Sequence, residues 1–251
     1  MITSYEALDL GRFMKIDHIL RTPAEEIDKQ VQIVAILADM TEAEVLSLPL
    51  SDYSAMAAKI GFLGTLCAPA DVDGSPITAG EFTLIPVRDF TKINTAQYVD
   101  FQTLVKDYPS TIPQLLSCFL VPEGKQYNEG YDIGAVQEAV LSLPLATAIG
   151  LTAFFFQFVQ RINQGYARLF GTEDEGPEDE GGDSEDRDEG GDGFTRDWGW
   201  IANVDQASET LRCSWDEVWA KPAVEFLNVL AYRKDRQRYE KDYIERWKRS
   251  H

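Results

Sequence analysis

Leu143-Pro144-Leu145-Ala146-Thr147-Ala148-Ile149-Gly150-Leu151-Thr152-Ala153-Phe154-Phe155-Phe156-Gln157-Phe158-Val159 carries no charge and is built mainly from Leu, Ala and Phe. Two structures use such a segment: a helix across a membrane, or a helix buried in a protein core. A span needs about 20 predominantly apolar residues. Here the apolar part falls marginally short, and Pro144, Thr147, Gly150, Thr152 and Gln157 interrupt it. The segment therefore predicts a buried core helix, opening after Pro144 and extending to about Phe170. With 251 residues, 44% of them hydrophobic, the chain can bury a sizeable core in one large domain or two modest ones.

Working back toward the N-terminus, helical periodicity dominates. Asp132 to Leu143 predicts a helix, as does Pro113 onward with Leu115, Leu116, Phe119 and Leu120. Thr95 is placed to cap a helix containing Tyr98, Phe101, Leu104 and Val105. Thr22-Pro23-Ala24-Glu25 predicts another helix start, with Ile27, Val31, Val34 and Ala38 on one face. Thr41 and Glu44 have the spacing of a capping box, with Val45, Leu46 and Leu48 behind it and Pro49 as the stop. Ser51-Asp52 would cap the helix after that. One stretch breaks the pattern. Glu81-Phe82-Thr83-Leu84-Ile85-Pro86-Val87 predicts a strand, part of a small hairpin near residues 81–90, with Pro86 favouring an edge. The expected fold is thus all-α with a minor β element. Val45-Leu46-Ser47-Leu48-Pro49-Leu50 recurs as Val140-Leu141-Ser142-Leu143-Pro144-Leu145. Each copy predicts a short helix, a proline corner and a longer helix.

Toward the C-terminus, Gly171 to Gly193 holds twelve carboxylates, one Arg and seven glycines, which places −11 of the net −19 there. With no aliphatic or aromatic side chain to bury, it predicts a disordered acidic linker. The expected division is a helical body over 1–170, the linker over 171–193, and a small helical module over 194–251. In that module Ser214 and Glu217 form a second capping box, and Pro222 opens a long helix.

The chemistry-bearing residues are sparse. Histidine is limited to His18 and His251, and no GxSxG, HExxH, Walker or GxGxxG pattern occurs. Cys67, Cys118 and Cys213 are odd in number and form no CxxC pair, so neither a disulfide framework nor a zinc site is expected. The dense carboxylates sit where nothing rigid would hold them for acid–base work. No catalytic, cofactor or metal site is therefore predicted. An acidic balance disfavours nucleic acid, because phosphate neutralisation by Lys and Arg dominates such binding. The first residues lack the apolar run of a signal peptide, so the expected location is the cytoplasm.

The terminal helix is richer. Arg233 to Arg249 contains eight basic and four acidic residues with aromatics between them, and all five tryptophans follow residue 197. Many of the charges can be met by i,i+4 ion pairs. Trp215, Trp219, Phe226, Tyr239, Tyr243 and Trp247 are anchor-type residues, and they are the candidate partner contacts, weighed against plain core.

The helical body, acidic tether and small helical module together resemble the tail assembly chaperones of long-tailed bacteriophages and prophages. The resemblance rests on Gln32-Ile33-Val34-Ala35-Ile36-Leu37 followed by Met40-Thr41-Glu42-Ala43-Glu44-Val45-Leu46-Ser47-Leu48-Pro49-Leu50-Ser51-Asp52-Tyr53. Further support comes from Thr95 to Asp100, from Pro122-Glu123-Gly124-Lys125 ahead of Tyr127, and from Ser214 to Trp219 through Phe226 to Tyr232. It implies a non-enzymatic protein of the bacterial host cytoplasm that binds the tape-measure protein, tail-tube subunits or both, with self-association an option. Members of that family often add the second module by a ribosomal frameshift, whereas here both lie in one frame. A structural virion component, of the tail or of head completion, is the alternative expectation.

Overall fold

A computed structural model describes residues 1–170 and 198–250. The fold is mainly helical with a small three-stranded antiparallel sheet. The expected acidic linker over 171–193 lies outside the described residues.

The chain forms two compact units. The first comprises Met1–Arg88 and Thr103–Phe156. Its helices are α1 (Leu10–Arg21), α2 (Glu26–Ala38), α3 (Glu42–Leu46), α4 (Leu50–Lys59), α6 (Ile112–Phe119) and α7 (Ile133–Val140), with the first half of α8 (Leu145–Gly165). The Thr41–Glu44 capping box forms as expected, with both reciprocal bonds present. Thr22 does not open α2. Its hydroxyl and amide instead close α1 on the His18 carbonyl, at 2.9 and 3.1 Å, so Pro23 lies in the connection, and Glu25 takes the N-cap position of α2 without a side-chain capping bond. Along α2, Val31 and Val34 are buried, but Ile27 is exposed.

The sheet pairs β1 (Ile77–Ala79) with β2 (Phe82–Pro86), and β2 with β3 (Leu120–Pro122). Pro86 thus sits in the central strand rather than at an edge. The register shows why it is tolerated. Val87 donates to the Phe119 carbonyl and Glu123 to the Thr83 carbonyl, so odd positions of β2 face β3. The Pro86 nitrogen faces the β1 side, where the ladder has already ended at Ile77 opposite Leu84. Leu84, Leu116, Phe119, Val136, Val140, Leu145, Leu151 and Phe155 are all buried in this unit. Phe119 and Phe155 meet with ring centroids 5.1 Å apart.

The second unit comprises Asp89–Gln102 and Gln157–His251. It holds most of α5 (Thr95–Leu104), the end of α8, α9 (Ala167–Phe170), α10 (Trp200–Leu211), α11 (Trp215–Ala220) and α12 (Ala223–Ser250). These units run differently from the expected division into 1–170 and 194–251. The cause is backbone pairing distant in sequence. Thr95 donates its amide and its hydroxyl to the Lys221 carbonyl, at 2.8 and 3.1 Å, and the Ala223 amide donates to Ile93 at 2.9 Å. Asn94, not Thr95, caps α5, exchanging side-chain and backbone bonds with Gln97.

Helix α8 is the one described helix long and apolar enough to cross a membrane by length and composition, and half of its apolar window is buried. Its buried residues Leu145, Ala148, Leu151, Thr152, Phe155, Phe158, Val159 and Ile162 recur at three-to-four spacing. That is the stripe of a helix laid against a core.

Candidate partner-binding surface

The base of the surface is the core of the second unit. Ser214 and Glu217 complete both bonds of the expected capping box and start α11. The box holds the Glu217 carboxyl below its ordinary range, because it accepts the Ser214 backbone and hydroxyl hydrogens. Val204, Ala207, Val218, Ala223, Phe226 and Leu227 are buried. Tyr98 is fully buried, and Trp200 meets it edge-on at 5.8 Å. The Tyr98 hydroxyl donates to Asn163 Oδ1 at 2.7 Å, while Gln102 Nε2 donates to both at 3.1 and 2.9 Å. Burial pushes the Tyr98 phenol well up from its ordinary value, so it stays protonated and keeps its donor role.

From this base α12 runs outward. Arg233 fixes it to α10, donating to the Gln206 carbonyl at 2.6 Å and to Thr210 Oγ1 at 3.2 Å, with Glu209 at 3.3 Å. A cleft of about 480 Å³ between the end of α10 and α12 is lined by Glu209, Arg212, Tyr232, Arg236 and Glu240 among others. Leu230 is the last buried residue of the helix. From Asp235 to Ser250 every residue is exposed.

The six candidate contacts divide accordingly. Tyr239, Tyr243 and Trp247 are 64%, 59% and 56% exposed, and the two tyrosine rings stack 6.5 Å apart. Trp215 is 46% exposed, with its indole N–H on Asp205 at 3.1 Å, and Trp219 is partly buried. Phe226 falls on the core side of the two expected roles: it is fully buried, 6.3 Å from Trp200, and belongs to the core that carries the helix. It precedes Leu230, so it lies on the part of α12 that still faces the unit. Tyr232 and Ile244, also exposed, extend the surface beyond the six. Part of the charge is met along the helix, by Arg236–Glu240 at 2.8 Å and Arg249–Glu245 at 3.9 Å.

In the first unit, exposed apolar residues gather on the early helices: Leu20, Ile27, Leu46 and Leu50. An open groove of about 940 Å³ runs along α1 and α2, where Arg12 is already held by Asp9 at 2.6 Å and by Asp39 at 3.4 Å. Among the described residues, no group of three or more His, Cys, Asp and Glu is placed to hold a metal ion. Comparison of the chain with protein-family models, with curated proteins and with solved structures finds no match.

Proposed function

We propose that this protein is a non-enzymatic assembly chaperone for the tails of long-tailed bacteriophages or prophages, holding the tape-measure protein, tail-tube subunits or both until the tube forms. The observation that carries the proposal is the exposed outer part of α12, with Tyr239, Tyr243 and Trp247 along it. Tyr, Trp and Arg dominate binding energy at protein interfaces because they bury large area at little entropic cost. A long helical client exposes apolar stripes that aggregate unless covered, and an amphipathic helix covers another by lying along it. The soft resemblance in Gln32–Tyr53 and Ser214–Tyr232 supports the choice of client.

The test is co-expression with the longest helical protein encoded nearby, followed by affinity capture and a solubility assay. The client should co-purify, be soluble only with this chain present, and be lost when Tyr239, Tyr243 and Trp247 are all changed to Ala. No association and unchanged solubility would defeat the proposal. Recovery of the chain in purified particles at structural stoichiometry would replace it with a virion component.

A further inference from the structure

We infer that the groove along α1 and α2 takes an amphipathic helix of a partner protein, one with an apolar stripe and with lysines or arginines clustered at one end. Neither α12 nor the chaperone proposal enters, since every lining residue belongs to the first unit. Helix α2 carries one polar residue, Gln32, between Val31 and Ala38. A helix apolar all round is ordinarily buried all round. Val31, Ile33, Val34, Ala35 and Leu37 follow that rule, but Ile36 is only half-buried. It lines the groove of about 940 Å³ with Met14, Ile19, Met40 and Leu141, which are half-buried as well. The two helices form a hairpin, because Arg12 near the start of α1 meets Asp39 at the end of α2. On α1 the lining residues Gly11, Lys15 and Ile19 stand four apart, a ridge about 12 Å long. The furrow beside such a ridge accepts the i, i+4 ridge of a third helix. The thioethers of Met14 and Met40 adapt to the side chains that arrive.

Charge complementarity names the occupant. Asp9, Asp39, Glu42 and Glu138 line the groove, against Arg12 and Lys15. Arg12 is held by Asp9 and Asp39, at 2.6 and 3.4 Å. The carboxylates of Glu42 and Glu138 have no ion pair and no hydrogen bond among the described residues. All four acids gather at one end. Asp39 and Glu42 flank the corner from α2 to α3, and Asp9 opens α1 and joins Asp39 through Arg12. Glu138 lies one turn before Leu141, whose carbonyl accepts the Gly11 amide at 2.8 Å. Lys15 stands one turn further along α1, and the opposite end, at Ile19 and Gln32, carries no charge. A helix laid in the groove therefore meets an apolar floor along its stripe and carboxylates at one end only. Basic residues gain there and acidic ones are repelled. These carboxylates are exposed, so they govern which helix is accepted more than how tightly it is held.

The test is fluorescence anisotropy of the purified full chain with two labelled peptides of about 18 residues, each with leucines at i, i+3, i+4 and i+7 in an alanine-rich background. One carries lysines through its last turns and the other carries glutamates at the same positions. The parent chain should bind the lysine peptide at least about tenfold more tightly. Glu42→Lys with Glu138→Lys should reverse that preference, although the variant remains strongly acidic overall. Glu123→Lys with Glu129→Lys, exposed in the same unit but outside the groove, should leave it unchanged. Ile36→Gln alters the apolar floor without touching a charge and should weaken the lysine peptide about fivefold. Far-UV circular dichroism checks that each variant is folded. Should the groove pair not fold, Glu138→Lys alone should still narrow the preference, since a cation suits the last turn of α7. Failure to bind either peptide, a preference that survives the groove reversal, or equal losses from both reversed pairs would each overturn the inference, the last two assigning the peptide to the overall acidity of the chain. So would self-association of the parent chain that disappears in the groove variant, since a second copy would then be the occupant.

Discussion

Val45-Leu46-Ser47-Leu48-Pro49-Leu50 and Val140-Leu141-Ser142-Leu143-Pro144-Leu145 share every residue and the same local form, but their surroundings differ. In each a short helix ends, the serine hydroxyl donates to the carbonyl three residues back at 2.7 Å, and a longer helix begins after the proline. The turn amides match as well, Leu48 to Val45 at 3.2 Å and Leu143 to Val140 at 3.1 Å. Yet Leu50 is 79% exposed and Leu145 fully buried, Leu46 is exposed where Leu141 is half-buried, and Leu48 is half-buried where Leu143 is buried. The difference is a strand-like clamp around the second copy. The Leu10 amide donates to Leu143, Gly11 to Leu141 and Leu145 to Leu8, at 2.9, 2.8 and 2.8 Å, and Asp9 bridges to Pro144. Six residues fix the turn, whereas the start of α1, about 130 residues away, fixes the burial.

The largest test of this contrast is truncation of the last leucine of each copy. Leu145→Ala removes a fully buried side chain and is expected to cost about 2–5 kcal/mol. Leu50→Ala, on an exposed face, should lie within about 0.5 kcal/mol of the parent. Urea unfolding of the two variants measures the gap. Equal losses would mean that Leu50 is covered in solution, by a copy or a partner, and the contrast would then belong to the isolated chain only.

That same contrast marks what was legible in sequence. Capping boxes at Thr41–Glu44 and Ser214–Glu217 were readable because both of their bonds close within four residues. So was the aromatic stripe of α12, whose members stand four apart. Helix α1 was not, because it buries only Leu10 and Ile16 and shows little periodic signal. Neither was the role of Asn94, because Thr95 follows it and looks equally able to cap. Phe226 and Tyr239 look alike as anchors, and only the point where burial along α12 ends, at Leu230, separates core from surface. The pairing of residues 93–95 with 221–223, which sets the second unit, leaves no trace in either stretch.

A smaller effect should follow from tightening the clamp. A Cβ at Gly11 would sit 3.3 Å from both the Cβ and the carbonyl oxygen of Leu141, close enough that one must shift. Crowding of this kind costs about 1–3 kcal/mol, and alanine's helix preference returns up to about 1, so Gly11→Ala should lose about 1 kcal/mol. Thermal unfolding reads the change. A variant as stable as the parent would show that α1 yields at its start, and the buried copy would then owe less to the clamp than to the neighbours of Leu145.

The smallest expected effect tests what holds the exposed copy in place of a clamp. Its helix α3 is secured locally by Glu44, whose carboxylate accepts the Thr41 amide at 2.7 Å and the Thr41 hydroxyl at 2.8 Å. Those bonds favour the ionised form and hold the Glu44 carboxyl below its ordinary value of 4.5. A lowered folded pKa binds fewer protons than the unfolded chain, so its contribution is fully present above the ordinary value. It is lost as pH falls through the depressed one. Glu44→Gln should therefore be slightly less stable than the parent at neutral pH, and the difference should fade as pH drops below about 4.5. Unfolding midpoints of both proteins at several pH values supply the measurement. A gap that stays constant with pH would assign the Glu44 contribution to packing instead. The exposed copy would then be held, like the buried one, by its neighbours and not by its own first turn.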